Sequence, residues 1–225
     1  MSSTPLATAW PWTLYPSQML QALAGSHPDA SMAPFLLATT FAGLVGAYAV
    51  AMFAFYRSSQ KHPTASRWLL PILGGVLLFG MTLLLQPLLF SDDVWTHIFS
   101  GRILSVHGAN PLSTPPDRFA NDPFLQWVLS TRDKPNIFGP FFLYIAALLA
   151  KVSSDPIVNL LLFKGVALLT HFICCILIWS ILGIIAPQRR LSGTLLYAWN
   201  PLVLIELAGN GHNEGILLCL LLLAT

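Results

Sequence analysis

LLFSDDVWTHIFSGRILSVHGANP, residues 88–111, is the stretch whose reading decides how this chain is built. An apolar run ends at Phe90, and after one serine two adjacent aspartates follow. Then come a tryptophan, two histidines, an arginine and a Gly-Ala-Asn-Pro turn. Carboxylates are costly in hydrocarbon, so such a pair marks where a chain leaves a membrane or lines a functional cavity. Beyond it, Val94, Trp95, Ile98, Phe99, Ile103 and Val106 share one helical face, with Thr96, His97, Ser100 and Gly101 opposite. That spacing predicts a helix lying in the membrane interface. Asp92 and Asp93 fall in its first turn, where the helix dipole favours acids.

The composition around this stretch sets the class. Of 225 residues 55% are apolar and 9% are charged, with a mean hydropathy of +0.68. A water-soluble domain carries about 25% charged residues, so this chain is an integral membrane protein. Its apolar runs are long and continuous rather than alternating, which selects helices over a barrel. The net charge of +2 is too small to suggest a nucleic-acid partner. Cys174, Cys175 and Cys219 sit inside apolar runs and read as core thiols, without the spacing of a metal site. The N-terminus shows no signal-peptide pattern, lacking a basic segment and a short apolar core.

The expected fold is an all-α polytopic transmembrane bundle of about five spans. A leader over 1–33 precedes runs at 33–56, 68–90, 156–187 and 191–209. The last run, GILLCLLLLAT, is too short to span, so the chain reads as the front part of a longer membrane protein. The membrane module is thus 34–225, with an external loop of 46 residues over 91–136. Arg57, Lys61 and Arg67 place the 57–67 loop on the cytoplasmic side, and the first 56 residues hold no Lys or Arg. The aspartates then emerge outside. The apolar stretch 137–152 falls short of a comfortable span and begins Ile-Phe-Gly-Pro, so it reads as a short re-entrant or interfacial helix on the outer side. Arg189 and Arg190 then fall inside, and NGHNEG (210–215) returns outside. SDDVW and GNGHNEG therefore meet one aqueous surface.

Several residues at that surface could carry chemistry. Asp92 and Asp93 are equally a helix cap with a solvated charge, or a base and its orienter whose basicity partial desolvation would raise. Asn210, His212, Asn213 and Glu214 lie in a turn with three glycines, with Glu206 one turn upstream. Glycines there let backbone and side chains approach a ligand closely. Lys164 and His171 share a face of one long helix. Lys164 could snorkel to the surface or meet a lipid phosphate, whereas His171 reads as a core histidine. Arg102, Asn110, Arg118, Arg132 and Lys134 decorate the long loop, whose LSTPPDRF segment could be a tether.

With these residues assembled, the chain resembles the GT-C superfamily of polytopic glycosyltransferases, within it the bacterial polyprenol-phosphate-mannose-dependent mannosyltransferases. SDDVWTHIFSGRILSVHGANPL, NIFGPFF and LLYAWNPLVLIELAGNGHNEG carry the resemblance, over roughly 70–225. It implies a membrane enzyme of the bacterial plasma membrane whose site faces outward. That enzyme would transfer a sugar, as mannose, from a polyprenyl-phosphate donor to a glycan or lipid-linked acceptor. The reaction would be one inverting displacement with Asp93 or Asp92 as base, the former favoured. His97, Arg102, Lys164 and His212 become candidates to neutralise the leaving phosphate, with Asn110, Asn210, Asn213 and Glu214 beside them as substrate-binding residues. Glu214 stands where many relatives carry Asp. No cofactor is required by the pattern, although a divalent metal, Mg or Mn, held by Asp92, Asp93 and Glu214 stays open. Two other classes remain: a transporter or flippase for an anionic lipid or solute, for which polar groups at mid-membrane would be expected, and a non-catalytic lipid-sugar-binding subunit.

Overall fold

The computed structural model describes residues 32–61, 66–88 and 91–225. All but the end of the expected 1–33 leader, and the middle of the basic loop, lie outside the described residues. Among those described, every regular element is helical.

Helix α1 is Met32–Lys61, and its apolar stretch Ala38–Arg57 has no residue buried within the protein. One side rests on the protein, with Tyr48 donating to the Leu196 carbonyl at 2.6 Å and Phe55 against Trp68 and Trp199, and the exposed apolar remainder is a surface suited to lipid. A 3-10 turn at Ser66–Trp68 leads into α2, Leu69–Leu84. The expected span 68–90 is shorter than its composition implies. Pro87 lacks an N–H and disfavours the helical conformation at Gln86, so the helix stops before them. At 1.5 Å per residue its length is about 24 Å, less than the roughly 30 Å hydrocarbon core.

Helix α3, Asp93–Ser105, corrects the amphipathic expectation. The apolar face is buried as predicted except for exposed Val106, but His97, Ser100, Gly101 and Arg102 are buried as well. The polar face is not in water because the rest of the long loop folds over it. Arg102 makes a two-point bond to Asp122 (Nε to Oδ2 3.1 Å, an Nη to Oδ2 2.9 Å). His107 Nε2 lies 2.8 Å from the same carboxylate. Phe124 covers the guanidinium with its ring centroid 3.9 Å away, and Phe119 stacks on His107 at 4.1 Å. Thr96 meets Thr131 at 2.7 Å, and Asn136 donates to Ser100. The LSTPPDRF segment is thereby packed, with Pro116 buried, rather than a free tether.

Helix α4, Pro140–Ala150, packs on α3 so closely that a Cβ on Gly101 would meet the Ala146 carbonyl. Its 11 residues reach roughly 16 Å, too short to cross a bilayer. Phe141, Tyr144 and Leu148 stay exposed along one side. Helix α5, Pro156–Ile185, opens with Asp155 accepting from the Ile157 and Val158 amides. Its first half joins α3 and α4 in one core (Val94, Ile98, Phe99, Ala146, Leu160, Phe163). Its second half joins α2 and the next helix in another (Ile72, Val76, Leu168, Trp179, Leu195, Ala208).

The run 191–209, expected as one span, is broken. Helix α6, Arg190–Ala198, and α7, Pro201–Leu204, are separate, and the pair bends by 47°. The cause is local. Pro201 has no amide to continue the ladder, and Asn200 adopts extended backbone while its Oδ1 accepts from the Leu202 and Val203 amides. Trp199 fixes the corner by donating to the Ile72 carbonyl at 3.1 Å. A π-helical turn, Ile205–Gly209, follows, and α8 is Glu214–Leu223. Among the described residues two helices, α1 and α5, are therefore long and apolar enough to cross a membrane, or three with the bent pair as one span, where about five, the last cut short, were expected. The three buried cysteines carry free thiols.

Candidate functional site

The two aspartates do different things. Asp92 caps the start of α3 in position but turns its carboxylate to the loop, accepting from the Leu129 amide and the Ser130 hydroxyl, each at 3.3 Å. Asp93, one residue on, has a half-exposed carboxylate facing His212, with 3.8 Å between Oδ2 and Nε2. The other ring nitrogen of His212 faces two acids: Nδ1 is 3.7 Å from Glu206 Oε2 and 3.5 Å from Glu214 Oε2. One imidazole thus stands among three carboxylates from three elements.

The turn that carries His212 is built for this approach. The π-helical register sends the Asn210 amide to the Ile205 carbonyl and the His212 amide to the Glu206 carbonyl. Gly211, at φ +74°, closes the turn in the left-handed region that glycine adopts at least cost. It also lies between α3 and α5: an added Cβ would stand 2.9 Å from Val94 Cγ2 and 3.2 Å from Lys164 Cγ. Asn210, fully buried, donates to Glu206 Oε2 at 3.1 Å. Asn213 is the residue before α8, without a side-chain capping bond.

The remaining candidates lie apart from this cluster in role. Lys164 does not snorkel. It is completely buried, and its Nζ donates to the Leu83 and Gln86 carbonyls at 3.0 and 2.8 Å, serving carbonyls left at the end of α2. Arg102 is committed to Asp122. Burial alone would raise the Asp122 carboxyl, but hydrogen bonds from Arg102, the Phe124 amide and His107 outweigh it and hold the group below its ordinary value. Asn110 shapes the Gly-Ala-Asn-Pro turn, its Oδ1 accepting from the Leu112 amide. His171 lies in the core with Nε2 3.1 Å from the Ala198 carbonyl. His97, one helical turn after Asp93, is 2% exposed, with the rings of Phe138 and Phe142 at 4.6 and 5.0 Å. Burial pushes its imidazole down to about 4, with Asp93 opposing and His212 adding to the shift. At neutral pH it is uncharged and does not supply a cation.

Beside the cluster is an open cavity of about 550 Å³, lined by Tyr197, Leu202, Val203, Leu207, Gly215 and Leu218 together with Glu206, His212 and Glu214. Its walls are apolar, and its charged groups gather around the one imidazole. Asp92, Asp93 and Glu214 do not fit a metal centre in this arrangement. Asp92 is bonded to the loop, and among the described residues no three His, Cys, Asp or Glu groups converge as metal ligands. Glu206 is the residue that sequence reasoning undervalued. Its place one turn before the GNGHNEG stretch is visible in the sequence, but the π-helical register that turns it back onto that stretch is not.

A sequence profile of the family described as "Alpha-(1->6)-mannopyranosyltransferase, N-terminal domain" matches residues 75–225, more than half of the chain. The chain is 29% identical over 174 residues to the protein named alpha-(1->6)-mannopyranosyltransferase B of Corynebacterium glutamicum. The match covers 73% of this chain and 26% of that protein, so the chain spans about a quarter of its relative's length. No solved structure matches the chain.

Proposed function

Since the chain belongs to the alpha-(1->6)-mannopyranosyltransferase family, whose N-terminal domain it matches over residues 75–225, we propose that it forms the donor-side part of a membrane mannosyltransferase acting at the outer face. The donor is a polyprenyl phosphate carrying mannose, and the acceptor is a hydroxyl of a glycan or lipid-linked glycan. The observation that supports this reading is the meeting of Asp93 and His212 beside the apolar cavity. A cavity with hydrocarbon walls and charge gathered at one imidazole suits a ligand with an apolar tail and a polar head.

In the reaction, Asp93 accepts the proton of the acceptor hydroxyl as that oxygen bonds to the sugar C1. The bond from C1 to the phosphate oxygen breaks, and its electron pair leaves with the lipid phosphate. The displacement is single and inverting, so no carboxylate nucleophile is needed. Asp93 is favoured over Asp92 because its carboxylate is half exposed toward the cluster, whereas that of Asp92 is spent on the loop. His212 is the remaining cation candidate of the original four. Lys164 and Arg102 are bonded elsewhere, and His97 is held neutral.

The test is a transfer assay in membranes with the full-length protein and radiolabelled polyprenyl-phosphate mannose. Asp93→Asn should abolish transfer while the protein still inserts, and Asp92→Asn should keep a measurable part of it. Equal transfer by wild type and Asp93→Asn would end this reading.

A further inference from the structure

Glu206 touches the 210–214 turn in three ways. Its backbone carbonyl accepts the His212 amide at 3.1 Å. Its carboxylate accepts from the buried Asn210 amide at 3.1 Å. The same Oε2 lies 3.7 Å from His212 Nδ1. The turn is a helix-terminating closure widened by the π-helical register, and such registers recur at functional sites. On the far side of the ring, Nε2 is buried and has no hydrogen-bond partner among the described residues, although it points at Asp93 across 3.8 Å. An unpaired buried nitrogen aimed at a half-exposed carboxylate marks a place completed by a ligand or by a small closure.

We propose that Glu206 is a positioning residue that acts through His212. It pins the turn and, with Glu214, holds the Nδ1 proton, so that Nε2 is presented to Asp93 and to the group that reacts there. This inference rests on the transfer reading above. A carboxylate that fixes the ring plane of a histidine whose other nitrogen faces the chemistry is a recurrent arrangement. The charged and titratable groups around the imidazole are Asp93 and His97 from α3, Glu206 from the π-helical turn and Glu214 from the start of α8.

The experiment is a mutant cycle in the full-length protein, with Glu206→Gln, His212→Ala and the pair. Glutamine keeps an oxygen for Asn210 but removes the charge facing Nδ1. Glu206→Gln should lower kcat by about tenfold with KM changed less than about twofold. In the His212→Ala background the same change should have less than about a twofold further effect, because the two act as one unit. Independent, multiplying effects would overturn the proposal, as would a change in KM alone. Asp93→Asn is run alongside. If it transfers normally the transfer reading fails, whereas an inactive Asp93→Asn with independent Glu206 and His212 effects sinks only this inference. A readout without transfer is the nitrogen NMR of labelled histidine in the detergent-solubilised protein. His212 should show a protonated Nδ1 in the wild type whose signal shifts in Glu206→Ala, where one of its two facing carboxylates is gone, and an unchanged spectrum would overturn the assignment.

Discussion

His212 Nε2 stands 3.8 Å from Asp93 Oδ2, although the two lie on opposite sides of the longest described loop and of α5 in sequence. What brings them together is Gly211, wedged between Val94 and the Lys164 stem. The neighbour of the catalytic candidate on one side and the neighbour of its histidine partner on the other stand so close that a Cβ does not fit between them.

Gly211→Ala should therefore be among the most damaging small substitutions. It adds the left-handed backbone cost to a Cβ that Val94 and Lys164 must make room for. A loss of about 1–3 kcal/mol in stability is expected, with transfer lost more than stability as His212 moves off Asp93. Gly74→Ala, inside α2 with nothing within 4 Å of the added Cβ, is the control and should leave transfer unchanged and stability equal or higher by up to about 1 kcal/mol. Thermal unfolding in detergent and the transfer assay measure the two effects.

Asp92→Ala should loosen the loop rather than remove the chemistry. It deletes the acceptor of the Leu129 amide and the Ser130 hydroxyl. The expected cost is about 1 kcal/mol. Limited proteolysis of the 112–134 segment should speed up, and transfer should fall far less than in Asp93→Asn.

Arg102→Met leaves Asp122 buried without its main partner. Removing one member of a buried pair costs about 3–5 kcal/mol, so folded yield should drop sharply. The acid limit follows from the same pair. The folded Asp122 carboxyl is held below its ordinary 3.8, so its contribution is complete above that pH and is lost as pH falls through the lower folded value. Unfolding curves below pH 4 should show this loss in the wild type and not in Asp122→Asn.

His97 sets a second, milder acid limit. Its folded value of about 4 lies under the ordinary 6.5, so its contribution is complete above pH 6.5 and is lost progressively toward pH 4. The shift corresponds to about 3 kcal/mol at full extent. His97→Phe, placed among Phe138 and Phe142, should flatten stability between pH 7 and pH 5. A wild-type protein equally stable at both pH values would refute this.

The legible part of this protein lay in local patterns. The helix after the aspartates and the short element before Lys151 are each written in a few adjacent residues, because proline and helical periodicity act over one or two turns. The break at Asn200-Pro201 has an equally local cause, yet hydropathy alone read 191–209 as one span. The polar face of α3 was misread because Thr96, His97 and Ser100 look solvent-facing by period alone. The residues that cover it, Thr131, Phe138 and Asn136, lie well downstream. Periodicity does not report that a loop returns to cover a face. Lys164 and Arg102 were read as anion binders on their charge, and packing gave each a partner in the fold.

By itself the amino-acid sequence determined that the chain is an apolar helical membrane protein and that none of its nine acids falls in the basic segments 57–67 and 188–190. Composition and hydropathy are sums over residues and need no geometry. Tertiary structure alone decided which aspartate faces the imidazole, that Glu206 belongs to the cluster, and which cations are already spoken for. Those are distances of 3–4 Å between residues far apart in the chain. They are set by how α3, α5 and the π-helical turn pack around Gly211, which no local pattern encodes.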